Sequence, residues 1–329
     1  APGTTYRFNG RTETYPDIRL VHWAGGNPFH HHQQLDRLRA AWQRPETIVV
    51  NEIWWTATAR FADIVLPATT SLERNDIGGS SRDRYVLAMH QAIGPLHLAR
   101  NDFDIFRELA ARLGSEAAFT EGRDERQWIE AIYRRCADEN RRHGVDFPAF
   151  DAFWRSGHFE LPVPATGSDP FADFRRDPAA HPLQTPSGRI ELASDTIASF
   201  GCPDCGRHPQ WLPPDEWLGA ASARVLPLHL ISMQPADRLH SQLDCAPLAQ
   251  AGKIGGRERI TLHREDARLR GLVDGDTVLV HNDRGACLAG LVTTDGIVRG
   301  VAMMATGSRY TPDLDHPGAP EQAGTVNVL

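Results

Sequence analysis

Lysine is almost missing: Lys253 is the one lysine among 35 Lys and Arg residues. Nearly all positive charge is therefore arginine, whose planar fork suits bidentate contact with phosphate or carboxylate, although a GC-rich genome produces the same bias. Cysteine is sparse as well. The five cysteines (Cys136, Cys202, Cys205, Cys245 and Cys287) are odd in number and scattered, unlike a disulfide framework. Cys202 and Cys205 form one CxxC beside His208, but no second ligand pair stands at zinc-knuckle spacing. That stretch reads as a Pro/Gly-rich surface loop. No apolar run approaches the ~18–20 residues of a membrane span, so the sequence predicts a soluble protein with no span. The first residues lack the charged and apolar regions of a signal peptide. There is no initiator Met, and Thr325 to Leu329 reads as a closing strand with no tail. These features read as a fragment of a longer protein. A net charge of −7 argues against a nucleic-acid partner. GxSxG, Walker and HExxH patterns and paired cysteine clusters for an iron–sulfur centre are also missing, so the chain advertises binding rather than bond-making.

What is present begins with size, since 329 residues suffice for about two domains at roughly 100–200 residues each. Ile18 to Trp23 reads as a buried strand that Gly25, Gly26, Asn27 and Pro28 end. Leu35 to Gln43 has helical spacing at Leu35, Leu38 and Trp42. Thr47 to Asn51 and Asp63 to Leu66 read as strands, and Asp102 to Leu113 as a helix with Phe103, Phe106, Ala110 and Leu113 on one face. This alternation predicts an α/β fold with a parallel, doubly wound sheet over residues 1–120. Another helix covers 126–142. From about 145 to 220 the chain is rich in Pro and aromatics with little periodicity, so residues 121–220 read as a helix and an irregular bridge that packs against other parts. Beyond it, Val225 to Ile231, Thr277 to His281, Ala286 to Thr293 and Val298 to Met304 are short strands between Gly/Asp turns. They predict a small β-barrel domain over 221–329.

Ligand-type residues gather in five places. In HWAGGNPFHHHQQ, Gly25 and Gly26 let the backbone approach a ligand, and the helix start beyond favours an anion. Adjacent His30, His31 and His32 do not converge on one metal ion; they read as nucleotide contacts or as solvated side chains. Asn51 and Glu52 end a strand, where a polar side chain accepts from a ribose or caps the next helix. The stretch Trp54 to Asp76 ends in SLERND, whose Arg74 can clamp a phosphate. Asp104 either accepts from a guanine edge or serves the dipole of its own helix. Last, SMQPADRLHSQLD sets many donors after an apolar strand, either for a polyanionic or heteroaromatic ligand or as an exposed loop.

Taken together, HWAGGNPFHHHQQLDRLRAAW, WWTATARFADIVLPATTSLERND, ARNDFDIF, TPSGRIEL and ISMQPADRLHSQ resemble the molybdopterin oxidoreductases of the dimethyl sulfoxide reductase family. The branch they resemble is that of the biotin sulfoxide and trimethylamine N-oxide reductases. The resemblance implies an enzyme that holds molybdenum between two molybdopterin guanine dinucleotides and reduces S-oxides or N-oxides by oxygen-atom transfer. It implies a small-molecule oxide as substrate and a redox partner supplying electrons. By motif position, Asn27, His31, Asn51, Glu52, Arg74 and Asp104 would contact a dinucleotide. Ser232, Met233, Gln234, Pro235, Arg238, His240 and Ser241 would contact pterin or phosphate groups, making 221–329 the dinucleotide-binding barrel. Asn327, in GTVNVL, corresponds to the family's Asn near the pterin, where GNPNVL is more usual. The family's protein ligand to molybdenum lies in an amino-terminal half absent from this sequence, so no catalytic residue and no metal ligand is assigned. SSRDRYVLAM, residues 80–89, departs from the YSN-containing loop of the best-known members and leaves the substrate open. The compartment, bacterial periplasm or cytoplasm, is equally open. Relatives with hydroxylase or transhydroxylase chemistry, and a non-catalytic guanine-nucleotide-binding module, are the alternatives.

Overall fold

A computed structural model describes residues 2–80, 82–162 and 169–329. Ser81 of the SSRDRYVLAM stretch, and residues 163–168 of the expected bridge, lie outside it. The chain divides into two compact units, one of residues 1–6, 14–65 and 211–329, the other of residues 7–13 and 66–210.

In the first unit, Leu20–Ala24, Thr47–Glu52 and the strand that begins at Ile64 form a three-stranded sheet in that order. The first two strands pair in parallel, Leu20 opposite Thr47 and Ala24 opposite Asn51. Thr47–Glu52 is the middle strand, paired along both edges; Ile48, Val50 and Asn51 are buried, and Thr47, Val49 and Glu52 partly so. Helix Leu35–Trp42 turns Leu35 and Trp42 inward and its charged residues outward. Phe29 packs edge-on to Trp42 at 5.4 Å and stacks on Tyr310 at 5.7 Å. One core therefore includes residues from both 14–65 and 211–329.

The later part of this unit is a five-stranded mixed sheet in the order Thr277–His281, Ala286–Thr294, Arg259–His263, Val301–Ala305, His229–Met233. Its buried face includes Ile260, Leu262, Cys287, Ala289, Leu291 and Met304, alternating along each strand as a half-buried sheet requires. The predicted small barrel is not what this order describes. Thr277–His281 and His229–Met233 remain edge strands, so the sheet is open among the described residues. Arg259–His263, central in the sheet, was not foreseen because Arg259, Thr261 and His263 interrupt its apolar run. The strand expected at Thr325 to Leu329 is instead a short 3-10 turn over Val326–Val328.

The second unit carries the antiparallel strands Asp76–Gly79, Tyr85–Met89 and His158–Glu160. Helix Glu125–Arg141 starts at a capping box in which Asp124 and Gln127 bond reciprocally. Its Ile129 and Tyr133 join Val86, Ala88, Phe150, Phe153 and Trp154 in a second core. Phe147, Phe150, Phe153 and Trp154 of the expected bridge thus pack on a helix and a hairpin, whereas Trp211 and Trp217 are exposed. Phe150, Phe153 and Trp154 stand at i, i+3 and i+4 of helix Phe150–Ser156, a period too short-lived to read in sequence. On helix Asp102–Arg112 the buried face is Ile105 and Ala110, whereas Leu113, expected inside, is 80% exposed. No helix among the described residues is long and apolar enough to cross a membrane.

Candidate functional site

Two glycines in left-handed conformation, Gly25 and Gly26 with φ of 80° and 77°, turn the chain out of its first parallel strand and deliver Asn27. The Asn27 side chain is fixed at both ends. Its oxygen accepts from the hydroxyl of buried Thr58 at 2.5 Å, and its amide donates to the Ser241 hydroxyl at 3.2 Å. The next strand ends in buried Asn51, whose oxygen lies 2.9 Å from His22 Nε2. Glu52 then accepts from the Ile53 amide at 2.9 Å and the Thr56 hydroxyl at 3.1 Å. Thr56 in turn caps helix Ala57–Arg60. Glu52 therefore organises a loop that leaves Trp54 and Trp55 largely exposed.

Strand His229–Met233 carries Ser232 and Met233 at its end, and Gln234 and Pro235 follow at once. Gln234 donates to His240 Nδ1 at 3.0 Å. His240 itself is left-handed, with φ of 52°. Its carbonyl oxygen lies against Gly307, where a Cβ would come within 2.1 Å, so only glycine fits there. Beneath this loop is a buried ionic network. Arg238, 2% exposed, meets Glu258 at 2.5 Å, Asp237 at 3.2 Å and Asp244 at 3.5 Å, and donates to the Thr306 carbonyl. Lys253, the one lysine of the chain, meets Asp244 at 2.7 Å. The Arg238 guanidinium is thus engaged by protein carboxylates rather than presented to a pocket. Its place is under the loop that holds His240 and Ser241.

His30 is 3% exposed, and its Nδ1 has no hydrogen-bond partner. Burial, then neighbouring His31, His240 and Arg238, lower its pKa to about 4 against an opposing pull from Asp244. Burial, His240 and His32 lower that of exposed His31 as well. Asn327 donates its side-chain amide to the His30 carbonyl. In the turn just before Asn327, the buried carboxyl of Glu321 accepts from the amides of Thr311, Ala323, Gly324 and Thr325 at 2.8–2.9 Å. Burial raises the Glu321 pKa while these four amides oppose the rise. Ser232 and Asn327 also line one cavity of about 800 Å³, walled by Ile260, Leu262, Val278 and Ala302.

Arg74 and Asp104 belong to the second unit. Arg74 donates to the Thr69 carbonyl at 2.8 Å and meets Asp76 at 3.3 Å. Asp104, in the first turn of its helix, pairs with Arg107 at 3.1 Å. Both retain substantial exposure, 27% and 40% of their side chains. Glu125 joins them; burial raises its pKa, Asn101 bonds it, and Asp104 and Asp76 add to the rise.

Comparison with known proteins places these motifs. The model "Molybdopterin oxidoreductase" matches residues 5–112, and "Molydopterin dinucleotide binding domain" matches residues 228–329. Biotin sulfoxide reductase of Cereibacter sphaeroides is 52% identical over the whole chain. The dimethyl sulfoxide/trimethylamine N-oxide reductase of Rhodobacter capsulatus is 46% identical, again over the whole chain. The chain belongs to the molybdopterin oxidoreductase family. It spans 44% and 40% of the length of those two relatives. Acetylene hydratase from Pelobacter acetylenicus shares the fold, with a TM-score of 0.72 over 96% of this chain and 41% of that one, at 18% identity.

In this molybdopterin oxidoreductase chain the structure gathers Asn27, His31, His240, Ser241 and Asn327 in the first unit through the contacts above. Asn51 and Glu52 stand one strand over, holding their own loop. Four supporting residues were given no structural role by the sequence reading: His30, named there only as a nucleotide contact or solvated side chain, Lys253, named only as the lone lysine, and Thr58 and Glu321. His30 and Lys253 carried a signal in their types, an interior histidine and a single lysine; Thr58 and Glu321 are ordinary residues made special only by burial.

Proposed function

We propose that the chain is the cofactor-holding carboxy-terminal part of a bis-molybdopterin guanine dinucleotide S/N-oxide reductase. The observation that carries the proposal is the Asn27 side chain bonded to Thr58 on one side and Ser241 on the other. It joins a glycine turn at a parallel strand end, where dinucleotides lie, to the loop SMQPADRLHSQ. The residues fit such a ligand. The buried atoms His30 Nδ1, Thr306 Oγ1 and Thr325 Oγ1 lack partners, and buried polar groups of this kind are normally satisfied. A pterin dinucleotide carries the complementary oxygens and nitrogens.

In this reading residues 1–120 supply dinucleotide contacts, residues 121–220 link and support, and the curled sheet within residues 221–329 acts as the barrel-type binding domain. Asn27, His31, Gln234, His240, Ser241 and Asn327 orient phosphate and pterin groups by hydrogen bonds. Met233 and Pro235 supply apolar contact at the strand end. Arg238 positions this loop from below. Asn51 and Glu52 hold the ribose-side loop, while Arg74 and Asp104, with Glu125, serve a phosphate and a guanine edge. When bound, the cofactor supplies a molybdenum centre able to transfer an oxygen atom, with electrons from a redox partner.

The test is to purify the full-length protein, measure molybdenum and guanine nucleotide, and assay viologen-linked reduction of methionine, biotin and dimethyl sulfoxides and of trimethylamine N-oxide. Turnover of at least one oxide is expected. A protein that binds molybdenum yet reduces none of them contradicts the reductase reading.

A further inference from the structure

Strand Thr47–Glu52 has a second end. Asn51 and Glu52 close it on the side of the ligand motifs, whereas Ile48 lies four residues back from Glu52, roughly 13 Å away at ~3.3 Å per residue. There a separate cavity of about 240 Å³ opens among Arg39 and Trp42 of helix Leu35–Trp42 and Glu46, Ile48, Phe61 and Asp63. None of the residues assigned to the cofactor lines it.

The wall carries opposite charges that do not pair with each other. Glu46 is committed to Arg19, whose fork meets its two carboxylate oxygens at 2.7 and 2.8 Å. The Arg39 side chain is 26% exposed; among the described residues its one ion-pair partner is Asp36 at 3.9 Å, and it donates no hydrogen bond. Trp42 is 9% exposed, and its Nε1–H is buried without an acceptor. Buried donors are normally satisfied, so both call for an acceptor. Asp63 accepts from the Ile48 amide at 2.8 Å through one oxygen and forms no ion pair among the described residues, which leaves its other oxygen open to a donor. Ile48, Phe61 and the Trp42 ring add apolar wall.

We propose that this cavity binds a small zwitterion of the amino-acid class, with its carboxylate on Arg39 and the Trp42 indole, its ammonium on Asp63 and an apolar side chain against Phe61. The arginine fork matches a carboxylate. A volume of about 240 Å³ falls below the ~300–1,000 Å³ of sites for drug-sized ligands, as an amino-acid-sized guest requires. The site stands apart from the cofactor motifs, so it holds whether or not the cofactor-holding reading does.

The full-length protein is titrated with L-leucine, with 4-methylpentanoate, which lacks the ammonium, and with 3-methylbutylamine, which lacks the carboxylate. Binding is read by saturation-transfer NMR. Leucine is expected to saturate, and each analogue to bind at least about tenfold more weakly, since each loses a charge-assisted hydrogen bond. Arg39→Gln weakens leucine and 4-methylpentanoate about tenfold and leaves 3-methylbutylamine unchanged. Asp63→Asn, which keeps an acceptor for the Ile48 amide, weakens leucine and 3-methylbutylamine and leaves 4-methylpentanoate unchanged. Melting curves establish that both variants fold, and their molybdenum content should match wild type. No leucine binding up to about 50 mM, leucine bound no more tightly than its analogues, or leucine affinity unchanged in either variant overturns the proposal. Preference for 4-methylpentanoate over leucine makes the cavity an anion site and overturns it as well.

Discussion

The Asn27 amide donates to the Ser241 hydroxyl at 3.2 Å, across 214 residues of sequence. Each residue lies in a motif that implies ligand contact, and the bond makes the two motifs one site. Ser241→Ala removes one partly buried hydrogen bond and is expected to cost about 1 kcal/mol of stability. Asn27→Ala also orphans the Thr58 hydroxyl, a fully buried group. Its expected cost is larger, roughly 2–4 kcal/mol, from two lost bonds and an unsatisfied donor. Urea unfolding of both variants measures the difference; equal losses would mean that Thr58 finds another partner.

Arg238 shows how the structure changes an expectation. Its guanidinium is 2% exposed among Asp237, Asp244 and Glu258. Removing one partner from a buried ionic network costs about 3–5 kcal/mol, because the remaining charges stay buried and unpaired. Arg238→Ala is therefore expected to lower the melting temperature more than Ser241→Ala does. An unchanged melting temperature with lost cofactor would instead mark a direct ligand contact.

Glu321 is a second buried acidic group near the site, bonded by four backbone amides in the turn before Asn327. Glu321→Ala leaves those amides without an acceptor, and a loss of roughly 3–5 kcal/mol is expected. The Asn327→Ala protein removes only the bond to the His30 carbonyl, so it should unfold close to wild type. Chemical denaturation of the pair distinguishes the two residues.

Much of the architecture was readable from period and punctuation. Leu35, Leu38 and Trp42 announced their helix, and the glycine pair after Trp23 announced the strand end. The barrel was over-read because Gly/Asp turns between short strands report hairpins, not closure, and the edge strands carry no mark of their own. At the site, motif resemblance supplied Asn27, His31, His240 and Ser241 together. It could not reveal that Arg238 is buried, since burial depends on where Asp237, Asp244 and Glu258 arrive in space. Glu321 was invisible for the same reason: one Glu among the acidic residues of a charged chain.

Glu73 gives a pH dependence. It is buried, and the amides of Thr70 at 2.8 Å and Leu96 at 2.6 Å hold its carboxyl below the ordinary glutamate range. A depressed carboxyl contributes stability that is present above its unfolded pKa and lost as pH falls through its folded pKa. The wild-type protein should therefore lose stability across the acid side of the glutamate range more steeply than Glu73→Gln. Melting temperatures from pH 6 to 3 give the comparison, and parallel curves would contradict it.

Cys287 is fully buried, and burial followed by Glu321 pushes its thiol up to about 12. Cys205 and Cys245 are exposed. Thiol titration of the folded protein at pH 8 should label Cys205 and Cys245 first and leave Cys287 unreacted until unfolding. Early labelling of Cys287, located by mass spectrometry, would contradict the packing of Ala286–Thr294.

That these motifs hold a molybdenum bis-dinucleotide cofactor is tested most directly by the cofactor content of the purified full-length protein. Metal analysis and release of guanine nucleotide should give about one molybdenum and two guanines per chain, with both falling together in Asn27→Ala. A folded protein that carries neither molybdenum nor guanine after expression in a cofactor-competent host would contradict the account.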